Sequence, residues 1–264
     1  MSGFAKGDSV SETKADCAIS VIIPALNEAA RIGVTVAGLA GLPGVEVVVV
    51  DGGSSDATRA LAQTAGARVI DSAAGRGIQQ NAGARVARGR IVLFLHADTR
   101  LPEGFAGMAA QALAQPGVVA GAFRLGIAAP GLALRLVELT ANLRARLLPY
   151  GDQALFLAAE TFRACGGFRE IPLLEDVDLV FRLRGLGRVV LLPAAVTTSA
   201  RRWLRLGVMR TFMVNQLVLL GFFLGIGPGR LAGWYRSGLG KGDGRQAGEQ
   251  VVGEALILDK ADKE

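Results

Sequence analysis

VEVVVVDGGSSDATRALAQTAG, residues 45–66, reads as one strand, one turn and one helix. Residues 45–51 are almost continuously apolar, the pattern of a strand covered on both faces. Asp51 ends that run, and a carboxylate there is costly to bury without partners. Gly52 and Gly53 turn the chain with no Cβ in the way of a ligand. Ser54, Ser55 and Asp56 are capping candidates for the next helix, and Gly66 stops it.

The same unit repeats on either side. AISVIIP (18–24) reads as a strand closed by Pro24, which lacks an N–H donor, and Ile32, Val36 and Leu39 follow at helical spacing. Downstream come a short strand (67–70), a helix (78–89), the strand IVLFLH (91–96) and a helix within 102–117. This alternation predicts an α/β fold with a mostly parallel central sheet flanked by helices. Beyond it the spacing predicts strands at 118–127, 154–158 and 188–193 and helices at 130–148 and 175–187.

The chain has 264 residues, enough for one large domain with an appendage. Its net charge of +6 suits phosphate ligands or an anionic membrane face. With aromatics at only 6%, it does not argue for nucleic acid. Mean hydropathy is high, at +0.39. Cys17 and Cys165 make no disulfide framework, which fits a reduced cytoplasmic compartment.

Residues 1–17 are polar, without an apolar signal core, and read as a disordered lead. The main domain is expected over 18–203. An apolar helical appendage follows at 204–237, then a flexible tail at 238–264. Within the appendage, Leu217–Ile226 is continuously apolar but too short to span a bilayer. Arg201, Arg202, Arg205 and Arg210 precede it and Arg230 follows. Two readings stand: peripheral contact with an anionic membrane, or packing on the domain or in a homodimer.

Parallel strands place their carboxyl ends on one edge, where open α/β sheets bind ligands. Pro24, Ala25, Asn27 and Glu28 follow the first strand, Asp51 and Gly53 the second, and His96, Ala97 and Asp98 the fourth. Oxygen ligands there would suit a hard cation and a diphosphate. GRGIQQNAG (75–83) has Gln80 where a dinucleotide fingerprint needs glycine, so Arg76 is read as a phosphate contact instead. Asp152 and Gln153 precede a strand, and Glu175 and Asp176 open a helix, where a carboxylate can serve as a general base.

The ordered set P-A-L-N-E, D-G-G-S-S-D-A-T, H-A-D and E-D resembles the family 2 glycosyltransferases of GT-A fold, over roughly residues 18–203. H-A-D-T, G-D-Q-A-L-F and G-G-F are similar to a bacterial subgroup labelled arsenosugar-biosynthesis or carotenoid-acid transferases. The resemblance implies inverting transfer of a sugar from a nucleoside diphosphate, usually UDP, to a hydroxyl or carboxyl of a small-molecule or lipid acceptor. It implies that Pro24, Ala25, Asn27, Glu28, Asp51, Gly53, Arg76 and Ala97 line the donor pocket. Asp98 would bind Mg2+ or Mn2+, with His96 as a second candidate ligand. Asp176 would be the base, with Glu175 in support. Asp152, Gln153, Arg202 and Trp203 would face the acceptor.

Two departures stand out. His96 replaces the first acid of the family's D-x-D, and Ser199 replaces the glutamine of Q-x-x-R-W, which argues against polymer synthesis. The alternatives are a nucleotide-sugar-binding protein without catalysis and a sugar-phosphate nucleotidyltransferase. The latter would carry a glycine-rich Arg/Lys loop where this chain has PALNEAARI.

Overall fold

The computed structural model of the chain describes residues 17–239. The expected lead and tail lie outside them, except Cys17 and the end of the last helix. The first half alternates as the sequence suggests: β1 (Ile19–Ala25), α1 (Ala29–Ala37), β2 (Val45–Asp51), α2 (Thr58–Thr64), β3 (Arg68–Asp71), α3 (Arg76–Val86) and β4 (Ile91–Phe94). Then come β5 (Thr99–Arg100), α4 (Phe105–Leu113), β6 (Val118–Ile127), α5 (Leu132–Ala145), β7 (Phe156–Ala158), α6 (Ala159–Ala164), α7 (Glu175–Arg184) and β8 (Arg188–Thr198). Three helices follow: α8 (Arg201–Leu206), α9 (Val208–Phe223) and α10 (Pro228–Leu239).

The strands form one sheet in the order β3-β2-β1-β4-β7-β6-β8-β5. β3, β2, β1 and β4 run parallel. β7 is antiparallel to both β4 and β6, and β5 to β8, while β6 and β8 are parallel. The sheet is therefore parallel where the repeat predicts it and mixed beyond β4.

Side chains alternate across it, as the pleat requires. Ile22, Val48, Val50, Val92 and Phe94 face one core, under α3, α7 and α9. Ile19, Val21, Ile23, Val47, Val49 and Leu93 face the other, under α1 and α4. Helix α3 lies so close to the sheet that a Cβ on Gly83 would meet Ile22, and Val50 at 2.9 Å.

Of the boundaries that differ from the sequence reading, three have a plain cause. β1 continues through Pro24 to Ala25. Residues of a strand alternate between their two neighbours, and Ile22 O accepts from Leu95 while Ala25 O accepts from Gly52. The missing N–H of Pro24 therefore faces the β4 side, past the last paired residue, Phe94. β4 stops at Phe94 because His96 to Thr99 is a turn, closed by Thr99 N–H donating to His96 O at 3.1 Å. β8 runs on to Thr198 because Pro193 falls in a register shift, between Leu192 opposite Phe123 and Ala195 opposite Arg124. A bulge is where a strand accepts proline.

The apolar segment 204–237 packs on the domain. α9 and α10 lie against each other, and Val214, Val218, Leu219 and Leu231 are buried in the same core as Ile22 and Phe94.

Candidate active site

The turns after β1 and β2 are laced together. Asn27 N–H donates to Ser54 Oγ (2.9 Å), and Ser55 N–H donates to Asn27 Oδ1 (2.9 Å). Glu28 N–H donates to Thr58 Oγ1 (2.8 Å). Asn27 holds a left-handed φ of 55°, which asparagine tolerates better than most residues. Asp51 accepts from the N–H groups of Gly53 (3.1 Å) and Ser54 (2.9 Å) and from the Ser54 hydroxyl. It is 1% exposed, so reading a base would require exchanging those bonds. Gly53 has φ 95°, which explains a glycine there. Pro24, Ala25 and Ala97 are buried, so they can offer a ligand little beyond main chain. The Ala97 carbonyl is already taken by the Thr35 hydroxyl at 2.6 Å.

The turn after β4 delivers the charged groups. His96 Nδ1 pairs with Asp152 Oδ1 at 2.7 Å. Burial opposes ionisation of Asp152, but the His96 imidazole outweighs it and holds the carboxyl well below the usual range. Burial likewise opposes the charge on His96, and Asp152 reverses the balance and raises its pKa. Asp98 is pushed up, first by burial and then by Asp152. Glu28 is pushed up by burial and by Asp98, against Arg201 and Arg31. Arg76 and Arg202 act electrostatically on Asp152 as well. One edge of the sheet thus holds three crowded carboxylates among four arginines and a histidine.

The loop before β7 joins this edge to α7. Gly151 N–H donates to Asp176 Oδ2 (2.6 Å), and Val177 N–H donates to Asp176 Oδ1 (2.8 Å). Asp176 is half-buried at the helix start. Glu175 is buried, 3.4 Å from Arg76. Burial raises its pKa against the pull of Arg76. Arg76 is thereby placed against Glu175 as well as near Asp152. Among the described residues, the non-glycine residues with left-handed backbone are Asn27, Ala154 and Leu174. Each adjoins one of these turns, and such strain clusters at functional sites.

Two expected site residues have other partners. Gln153 is 1% exposed, donates to Phe123 O (3.2 Å) and accepts from Tyr150 N–H (3.3 Å). Those bonds brace β6. Trp203 packs on the small cluster of Ile127, Leu134 and Val137. Arg202 does reach the site, and its guanidinium also stacks 5.2 Å from the Tyr235 ring centroid.

Sequence reasoning missed Gln79, whose buried amide donates to Ala25 O and Val50 O, both at 2.9 Å, and so ties the ends of β1 and β2. It also missed Arg31 and Arg201 beside Glu28, and Arg144, which stands 3.6 Å over the Tyr150 ring near Asp176. Arg31 lies three residues after Glu28, a helical pairing legible in the sequence. Gln79 and Arg144 gave no signal, and Arg201 stood out only as part of the basic run before the apolar segment.

Among the described residues, no three His, Cys, Asp or Glu side chains gather as a metal cage. His96, a candidate ligand by sequence, directs Nδ1 to Asp152. Asp98 is a half-buried carboxylate crowded by that of Asp152. Mg2+ commonly takes one or two carboxylates and completes its shell with substrate phosphates and water, a donor set that Asp98 fits.

Residues 20–169, more than half of the chain, match the family described as Glycosyl transferase family 2. No curated protein matches the chain in sequence. Among solved structures it is similar to residues 1–349 of S. aureus TarS in complex with UDP-GlcNAc. Identity is 18%, over 69% of this chain and 58% of that one, with a TM-score of 0.55. The same TarS segment with UDP gives 19%, 69%, 60% and 0.55. Glucosyl-3-phosphoglycerate synthase from Mycobacterium tuberculosis, in complex with Mn2+, UDP and phosphoglyceric acid, gives 26%, 69%, 70% and 0.47. The chain spans less than two thirds of the TarS chains, and what it shares with them is the GT-A fold. The family match begins in β1 and runs through every strand and turn that builds the charged edge up to α6, and on that ground the chain belongs to glycosyl transferase family 2.

Proposed function

We propose that the chain is an inverting glycosyltransferase that moves a sugar from a nucleoside diphosphate to a hydroxyl or carboxyl of a small-molecule or lipid acceptor. The observation that carries this is the charged edge, where Asp98, Asp152 and Glu28 meet Arg76, Arg201, Arg202 and Arg31 at the carboxyl ends of parallel strands. Such a set suits a diphosphate bound together with a cation. UDP-sugars are the first donors to try, because a chain of the same fold binds UDP-GlcNAc.

Asp98 would hold a divalent cation jointly with the donor's phosphates. When bound, that ion supplies charge to offset the leaving diphosphate. Arg76 and Arg202 add positive charge on the same side. Asp176, oriented by two backbone N–H groups, retains lone pairs to accept the acceptor's proton. The freed oxygen attacks the anomeric carbon from the face opposite the nucleotide. The bond to the diphosphate breaks, and the diphosphate leaves with its electron pair. Glu175 is buried against Arg76, so it positions the helix start and that arginine. The subgroup resemblance makes carotenoid-like acids and other lipid acceptors the class to test first.

The test is release of nucleoside diphosphate from UDP-, GDP- and dTDP-sugars with Mn2+ or Mg2+, over a panel of hydroxyl and carboxyl acceptors. Release that depends on both one nucleotide class and an acceptor is expected. Donor binding without release for any acceptor would favour the binding-protein reading.

A further inference from the structure

The site leaves exposed apolar surface on two helices unused. On α5, Leu136, Leu139 and Leu143 are 50%, 64% and 63% exposed at helical spacing. On α9, Met213, Leu217 and Leu220 form a second stripe, 53–55% exposed. The helices are neighbours: Leu134 and Val137 of α5 share a cluster with Val208 and Phe212 of α9. α9 is anchored by its opposite face, through Val214, Val218 and Leu219, so the exposed stripe is a second apolar face on a docked helix. Soluble monomers rarely leave large apolar patches uncovered, and these two stripes lie on neighbouring helices.

Charge identifies the cover. Residues 201–239 hold six arginines and no acid. Arg201, Arg202 and Arg205 on α8 and Arg230 and Arg236 on α10 are exposed. The one acid on α5, Glu138, is taken by Arg135 at 2.7 Å and by the Ile127 N–H at 2.6 Å. A second copy of this face would set arginines against arginines. An anionic bilayer satisfies both properties, since leucines enter the acyl boundary and arginines meet phosphates. α9 is about 24 Å long at 1.5 Å per residue, short of the roughly 30 Å hydrocarbon core. No helix among the described residues is long and apolar enough to cross a membrane. The face therefore lies on the surface.

We infer that α5 and α9 together form a docking face for an anionic lipid bilayer, with Arg205 of α8 and Arg230 and Arg236 of α10 as its basic rim. The face adjoins the charged edge, because Arg201 and Arg202 at the start of α8 reach Glu28, Asp98 and Asp152, and α8 leads through Gly207 into α9. Docking would bring the site to an acceptor carried in the membrane. That last step rests on the glycosyl-transfer reading; the lipid contact does not.

The experiment is co-flotation of the full-length chain with vesicles of phosphatidylglycerol and phosphatidylcholine in equal amounts, and with phosphatidylcholine alone. Leu139→Glu/Leu217→Glu alters exposed positions and should keep the thermal midpoint. Wild type is expected to float with the anionic vesicles, and this variant to bind at least about tenfold less. Arg205→Glu/Arg230→Glu leaves the apolar stripes intact and is expected to cut anionic binding several-fold. Three results would overturn the inference: wild type that stays at the bottom with anionic vesicles, charge-reversed protein that floats as well as wild type, or a wild-type dimer that the leucine variant turns into a monomer without any flotation.

Discussion

Asp176→Asn is expected to bind donor with near wild-type affinity and to lose turnover by about 10²–10⁴-fold, the usual worth of a positioned general base. The substitution keeps the shape of the side chain and removes its capacity to accept the proton. Its amide oxygen can still accept one of the two backbone N–H groups, from Gly151 or Val177. The amide nitrogen then faces the other donor, which adds a stability cost of about 1 kcal/mol. Glu175 is adjacent but cannot substitute, since it is buried and turned to Arg76 at 3.4 Å. Steady-state release of nucleoside diphosphate, beside a donor titration, separates the two effects. Turnover within about tenfold of wild type would remove Asp176 from the base role.

Phe156→Ala is expected to have the largest effect on stability. Phe156 is 0% exposed on β7, the strand that changes the sheet from parallel to mixed. Its ring lies 5.5 Å from that of Phe123 and fills the space left by Gly121, where any Cβ would meet the ring. Truncating a buried Phe costs about 3–5 kcal/mol, against a typical total of 5–15 kcal/mol. For a domain of this size the melting temperature should fall by about 6–20 °C. Gly121→Ala should also destabilise the wild type, and should do so less in the Phe156→Ala background, because the ring it strikes is gone. Equal costs of Gly121→Ala in both backgrounds would show that the two residues do not fill one space.

The parallel half of the sheet was legible because β1, β2 and β4 are apolar on both faces and each runs into a polar turn. Those turns hold Glu28, Asp51 and Asp98, so strand ends and candidate ligands were found together. β8 was cut short in the reading because Pro193 signals a stop, whereas the register shift beside it lets the strand continue. The antiparallel insertion of β7 could not be seen, because three residues carry no periodicity. The sequence also does not reveal that Asp51 accepts from its own turn, or that Gln153 ties its loop to β6. Arg201 and Gln79 join the site only through tertiary packing. The spacing predicts a helix over 130–148, but it gives no sign that Leu136, Leu139 and Leu143 stay uncovered.

The most direct test of the account is donor binding at Asp98. Calorimetric titration of UDP-sugar into wild type and Asp98→Ala, with Mn2+ and then with a chelator, measures it without any acceptor. The expected result is binding that weakens at least about tenfold in the variant and similarly on chelation, about 1.4 kcal/mol or more. Equal affinity in wild type and Asp98→Ala, unaffected by the chelator, would contradict the assignment of this edge to a donor diphosphate.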